Sequence, residues 1–131
     1  MRTIQNLLIL SFLVMLNSCS TKAKFPVSRV TPAADITAKK STDKQNNFVL
    51  EITANNLATA DRLDPPGNNY SVWIVTTEHG LRNVGQLNVK NAEKTTFKTT
   101  TPFDFNEIFI TVEQKGDVGY PTGAEISRTK F

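Results

Sequence analysis

The chain has 131 residues and a mass of 14.5 kDa, enough for one small domain and too little for a catalytic domain joined to a cofactor domain. Lys and Arg total 15 against 12 Asp and Glu, and a hydrophobic content of 39% with 8% aromatics excludes wholesale disorder. One Cys and one His exclude a Cys/His zinc site, a Cys/His nucleophile pair and a disulfide framework, so no metal or cofactor is expected.

The N-terminus opens with Arg2 and the free amine, followed by the apolar run Leu7–Leu16. That run has the length of a signal-peptide core and is too short to span a bilayer, which takes about 20 apolar residues. It ends in Leu16-Asn17-Ser18-Cys19, an order that resembles a bacterial lipobox. The resemblance implies that residues 1–18 are removed, that the Cys19 sulfur carries a diacylglyceryl group and that the new amine is acylated, commonly by palmitate. Two or three acyl chains, at about 0.8 kcal/mol per buried CH2, hold a protein on a membrane durably. Ser20 after the Cys favours the outer membrane over the inner one under the enterobacterial sorting rule.

Residues 20–46 show no sustained period of 2 or 3.6 and are rich in Ser, Thr, Ala and Lys, the composition of a flexible tether. Their six cations outweigh Asp35 and Asp43, whereas residues 47–131 hold 8 basic and 10 acidic side chains. A basic tether beside a lipid anchor can lie on anionic headgroups, at about 1 kcal/mol per cation, or serve solubility alone. Nucleic acid is not an expected partner, because the folded part is acidic and exported. Phe25–Val30 could add a short edge strand.

From Asn47 the pattern becomes alternating, the mark of half-buried strands. Phe48, Leu50, Ile52 and Ala54 share a face. Tyr70, Val72 and Ile74 share another, with Trp73 and Val75 opposite, so this strand is apolar on both faces and belongs at the centre of a sheet. Leu87 and Val89 alternate after Gly85. Thr95–Thr100 reads as a polar strand with Phe97 pointing inward. Ile108, Ile110 and Val112 share a face with Phe109, Thr111 and Glu113 opposite, and 124–128 can close the sheet. Residues 57–63 allow one helical turn. Turn-forming clusters separate the runs at 64–69, 79–80, 90–92 and 116–121, and 17 Thr favour extended chain. The expected fold is a small all-β antiparallel sandwich of six or seven strands over residues 47–131, Ig-like in architecture.

Four segments then stand out in order: Tyr70-Ser71-Val72-Trp73, the stretch Leu81–Leu87 containing Gly85, Ile110-Thr111-Val112-Glu113, and Pro121-Thr122-Gly123. Together they resemble the extracytoplasmic C-terminal domain of the anti-sigma-K factor family, over roughly residues 47–128. The loop between Glu113 and Pro121 departs from the family's usual Pro-x-Gly-Gly. The sigma-binding segment and transmembrane helix of full family members have no counterpart in the sequence. The resemblance therefore implies the fold and an envelope-facing sensory or interaction role, and not sigma-factor inhibition.

The candidate residues each have a structural reading as well. Trp73 fills the sandwich interior or a gap under a covering loop, or else offers a stacking platform. Tyr70 buries its ring and sends its hydroxyl to a backbone partner. Gly85 within a strand marks a bulge or a close approach of another backbone, under Trp73. Glu113 is solvated at a sheet edge or caps loop amides. Pro121-Thr122-Gly123 is a turn that aims the last strand. Glu78-His79 has no neighbouring Ser or Cys to form a relay. Asp61, Asp64, Asp104, Glu107 and Asp117 match no known calcium-loop spacing. The sequence thus leads to a non-enzymatic, lipid-anchored, periplasm-facing envelope protein that binds another envelope protein, with recognition of glycan or peptide as the alternative.

Overall fold

The computed structural model describes residues 19–90 and 93–131. The expected signal segment 1–18 lies outside the described residues, as does part of the expected turn at 90–92. Eight strands follow one another: β1 (Ser20–Lys24), β2 (Asp35–Thr42), β3 (Phe48–Asn55), β4 (Asn69–Thr76), β5 (Leu81–Leu87), β6 (Thr95–Thr101), β7 (Phe105–Glu113) and β8 (Glu125–Lys130). One 3-10 turn, Ala60–Arg62, falls where a single helical turn was expected. Among the described residues no helix is long and apolar enough to cross a membrane.

The strands form two four-stranded sheets, ordered β1-β2-β3-β6 and β5-β4-β7-β8, with every neighbouring pair antiparallel. The chain crosses between the sheets after β3, β5 and β6, the interlocking of an Ig-like sandwich. The facing sides supply the core. Ile36, Ala38, Leu50, Ile52 and Ala54 come from one sheet, and Tyr70, Val72, Ile74, Leu87, Ile108, Ile110, Val112 and Ile126 from the other. β4 lies between β5 and β7, as its two apolar faces required. β5 ends at Leu87, so Gly85 lies inside the strand, as expected, and Val89 lies beyond it.

The largest departure from expectation is at 20–46. The supposed tether forms β1 and β2, which extend the first sheet to four strands. β2 runs beside all of β3, from Asp35↔Asn55 to Thr42↔Phe48. Its inward residues Ile36 and Ala38 are buried in the core, while Thr37, Lys39 and Ser41 face out. Alternation is present but shallow, because the inward side chains are small and Lys40 ends the inward row. The Lys40 ammonium stays satisfied: it donates to Asp104 Oδ1 at 2.7 Å and to the Phe105 carbonyl, and lies over the Phe48 and Phe105 rings. The Phe25–Val30 segment forms no strand. Phe25 is instead a buried plug whose amide donates to the Ile36 carbonyl at 3.0 Å.

The two ends of the sandwich differ. Cys19, the β2–β3, β4–β5 and β6–β7 turns and the end of β8 share one pole. The loops 25–34 and 56–68, the end of β5 and the segment 114–124 share the other.

Because β2 belongs to the core, Ile36→Ala is expected to destabilise the protein by about 2–4 kcal/mol in urea unfolding. A change within about 0.5 kcal/mol, the range of surface substitutions, would restore the tether reading.

Candidate functional site

Alternation along β7 sends Ile108, Ile110 and Val112 into the core and leaves Phe109, Thr111 and Glu113 on the outer face of their sheet. Trp73 is directly opposite Phe109 on β4, so it too points outward. It is nevertheless fully buried, stacked on Phe109 with ring centroids 6.0 Å apart and planes 11° from parallel. This is the gap under a covering segment, and not the sandwich interior. The indole N–H donates to Thr111 Oγ1 at 2.8 Å, and that hydroxyl donates onward to Glu113 Oε2 at 2.6 Å.

Glu113 is the hub. Only 1% of it is exposed, so the expectation of a solvated edge residue is corrected, and its other reading, as a cap for loop amides, describes the geometry. Besides Thr111, its carboxylate accepts the Thr122 amide at 3.1 Å, the Gly123 amide at 3.0 Å and the Thr122 hydroxyl. Burial alone would push the Glu113 carboxyl up. The hydroxyls of Thr111 and Thr122 and the amides of Gly123 and Thr122 outweigh it and hold the carboxyl below the ordinary glutamate range. The Pro121-Thr122-Gly123 turn thereby becomes a latch. Gly123 has no substitute there, since a Cβ would overlap the Val112 carbonyl oxygen. Asn83 on β5 donates to the carbonyls of Gly116 (3.1 Å) and Val118 (3.0 Å), and Val112 N–H donates to Ala124 O at 2.9 Å. Segment 114–124 is thus stitched over the outer face from both sides. Arg128 closes the margin, its guanidinium 4.0 Å from the Phe109 centroid and paired with Glu107 and Glu125.

Of the residues singled out in the sequence, the structure brings together Trp73, Glu113, Pro121, Thr122 and Gly123, and keeps three apart. Tyr70 faces the core and donates its hydroxyl to Ala58 O at 2.5 Å; burial, with Asp61 nearby, pushes its pKa up to about 12. Gly85, at φ +141°, sits opposite Val72 where the β4–β5 register shifts, and a Cβ there would meet the Phe97 ring at 2.8 Å. The close approach is therefore a side chain of the facing sheet, and not a backbone under Trp73. Cys19 is exposed at the opposite pole. Thr111, Asn83 and Arg128 were not singled out. Thr111 alone left a signal, a polar residue between Phe109 and Glu113 on the face opposite Ile108, Ile110 and Val112.

A separate concavity of about 570 Å3 opens at the pole away from Cys19, lined by Thr59, Asp61, Asn68, Asn69, Gln86 and Asn88 among others. Its walls are mostly amides and hydroxyls on a floor that includes Tyr70 and Leu87. Among the described residues no three His, Cys, Asp or Glu side chains gather as a metal set would. No protein-family model, curated protein or solved structure matches this chain.

Two outcomes follow from the latch. Because the folded-state pKa of Glu113 is depressed, its contribution is complete above the ordinary glutamate range and is lost as pH falls through that range toward the folded value. Urea midpoints measured between neutral and acid pH should fall, and Glu113→Gln should flatten that fall while costing about 1–3 kcal/mol at neutral pH. An unchanged pH profile in the variant would separate Glu113 from the acid sensitivity. Trp73→Ala should cost about 3–5 kcal/mol, and the wild-type indole should emit as a buried one. A solvated emission with an unchanged unfolding midpoint would place the ring outside the latch.

Proposed function

We propose that this chain is a non-enzymatic lipoprotein of the bacterial cell envelope, anchored through Cys19, whose β-sandwich is an anti-sigma-like sensory or protein-interaction module facing the periplasm. The observation that carries the reading is the position of the one cysteine. It is exposed, immediately ahead of the first strand, and ends a lipobox-like run. A buried cysteine would have served packing. This one is free at the place where the chain enters the fold, as thioether formation requires.

The segments that carry the likeness to the anti-sigma-K extracytoplasmic domain meet one another in the fold. The tryptophan of the first, the Thr and Glu of the third and the Thr and Gly of the fourth make one hydrogen-bonded unit. Residues from separate segments that bond to each other form a structural device, and its product here is a covering segment pinned to the sheet with Tyr120 exposed at its turn. A protein partner would find that ridge preformed. One observation favours the alternative, recognition of a glycan: the amide-lined concavity at Asn68, Asn69, Gln86 and Asn88 offers paired donors and acceptors of the kind that vicinal hydroxyls use.

Cys19→Ala is expected to abolish incorporation of a fatty-acid analogue into the protein and to release it from the membrane fraction. Absence of label on the wild-type chain would overturn the lipoprotein reading.

A further inference from the structure

We infer that the Cys19 pole of the sandwich is a seating surface for the membrane, so that the strands stand on the bilayer and the opposite pole projects away from it. The inference rests on the lipid-anchored reading and goes beyond it. A flexible tether of 27 residues, as the composition of 20–46 suggested, would leave the domain free to tumble. The structure removes that slack. β1 begins at Ser20, and Ser20 is already in register with Ser41. Between the anchoring residue and the ladder there is one peptide unit, about 3.8 Å. A diacylglyceryl group on Cys19 therefore holds the rim of the sandwich at the headgroup layer.

The surface brought there suits that position. Lys44 in the β2–β3 turn, Arg82 at the start of β5 and Lys130 at the end of β8 are exposed cations on this rim. Glu78 and Asp104 are the exposed acids beside them, Asp104 engaged by Lys40, and Asp43 is half-buried. Asp43 is also turned to its own loop, where it accepts the Gln45 and Asn47 amides at 2.9 Å each. The apolar side is as marked. Phe48, Phe103 and Phe131 are half-buried at this end around the fully buried Phe105, and Leu81 is 41% exposed there. Arg82 lies 5.2 Å from the Phe103 centroid and His79 4.9 Å, so the rim presents aromatic bodies topped by cationic or polar heads. Beside Cys19 a groove of about 320 Å3 runs between Phe48 and Phe131, with Lys40 along it. It starts at the residue that carries the acyl groups, which makes the glyceryl linkage and first methylenes its occupant. β7, with nine residues, sets the height of the sandwich at about 30 Å. The amide-lined concavity and Tyr120 stand that far off.

The test uses the full chain, produced in bacteria and recovered with its lipid. It is reconstituted in phosphatidylethanolamine/phosphatidylglycerol vesicles that contain a headgroup-quenching lipid. Single reporter cysteines are introduced at exposed positions, Lys44→Cys and Leu81→Cys near the anchor, and Val27→Cys and Tyr120→Cys at the far pole, and each carries a fluorophore. Quenching should be several-fold greater at the first pair than at the second. A flexible Gly/Ser spacer inserted between Cys19 and Ser20 should remove the difference without releasing the protein. Mass analysis of the same samples separates the two ways of failing. An unmodified Cys19 overturns the anchoring reading and this inference with it. A lipidated Cys19 with equal quenching at both poles, before the spacer is added, overturns the seating alone.

Discussion

A carboxylate buried among apolar strands is costly unless each of its lone pairs is met. Glu113 meets that demand with two hydroxyls and two amides, three of the four donors coming from the turn at 121–123. The demand therefore works in both directions. The turn at 121–123 cannot leave without stranding the charge, and the charge cannot be buried without the turn. Because Thr111 also receives the indole N–H, the aromatic stack on the outer face is tied to the same condition. An apolar surface that would otherwise be wet becomes a second, small core outside the sandwich.

This second core explains why one strand could be read so clearly and its surroundings so poorly. β4 is apolar on both faces, and only a central strand covered on both sides tolerates that composition. What covers its outer face is irregular chain, and periodicity says nothing about irregular chain. Glu113 was legible as a cap or an edge residue, but choosing between them needs the path of residues 114–124. That path is set by contacts such as Asn83 to two carbonyls and Gly123 against Val112, which leave no sequence period.

The missed strands have a different cause. β3, β4 and β7 place Ile, Leu, Val and Phe against polar residues, so their alternation is deep. β1 and β2 place Ala and one Ile against Lys, Thr and Ser, a contrast that a linker also shows. β6 is just as polar, yet Phe97 gave it a direction. The fold was thus legible wherever hydrophobic side chains were large. It was illegible where a strand is held mainly by its backbone ladder to a stronger neighbour, as β1 is by β2 and β2 by β3. That Cys19 directly precedes the first strand was hidden for the same reason, and the proposed seating of the domain depends on it.

β1 carries one more consequence. It is an edge strand, and an edge strand offers unpaired peptide groups to any other extended chain. Lys22 and Lys24 flank that edge, Lys22 stands directly opposite Lys39, and the Lys24 carbonyl is already taken by the Thr129 hydroxyl at 3.2 Å. A second molecule attempting to extend the sheet would bring its own lysines into the same row and lose a partner for each group it displaced. The side chains that disguise β1 as linker thus disfavour the pairing of a second copy along that edge, one of the four that the two sheets present.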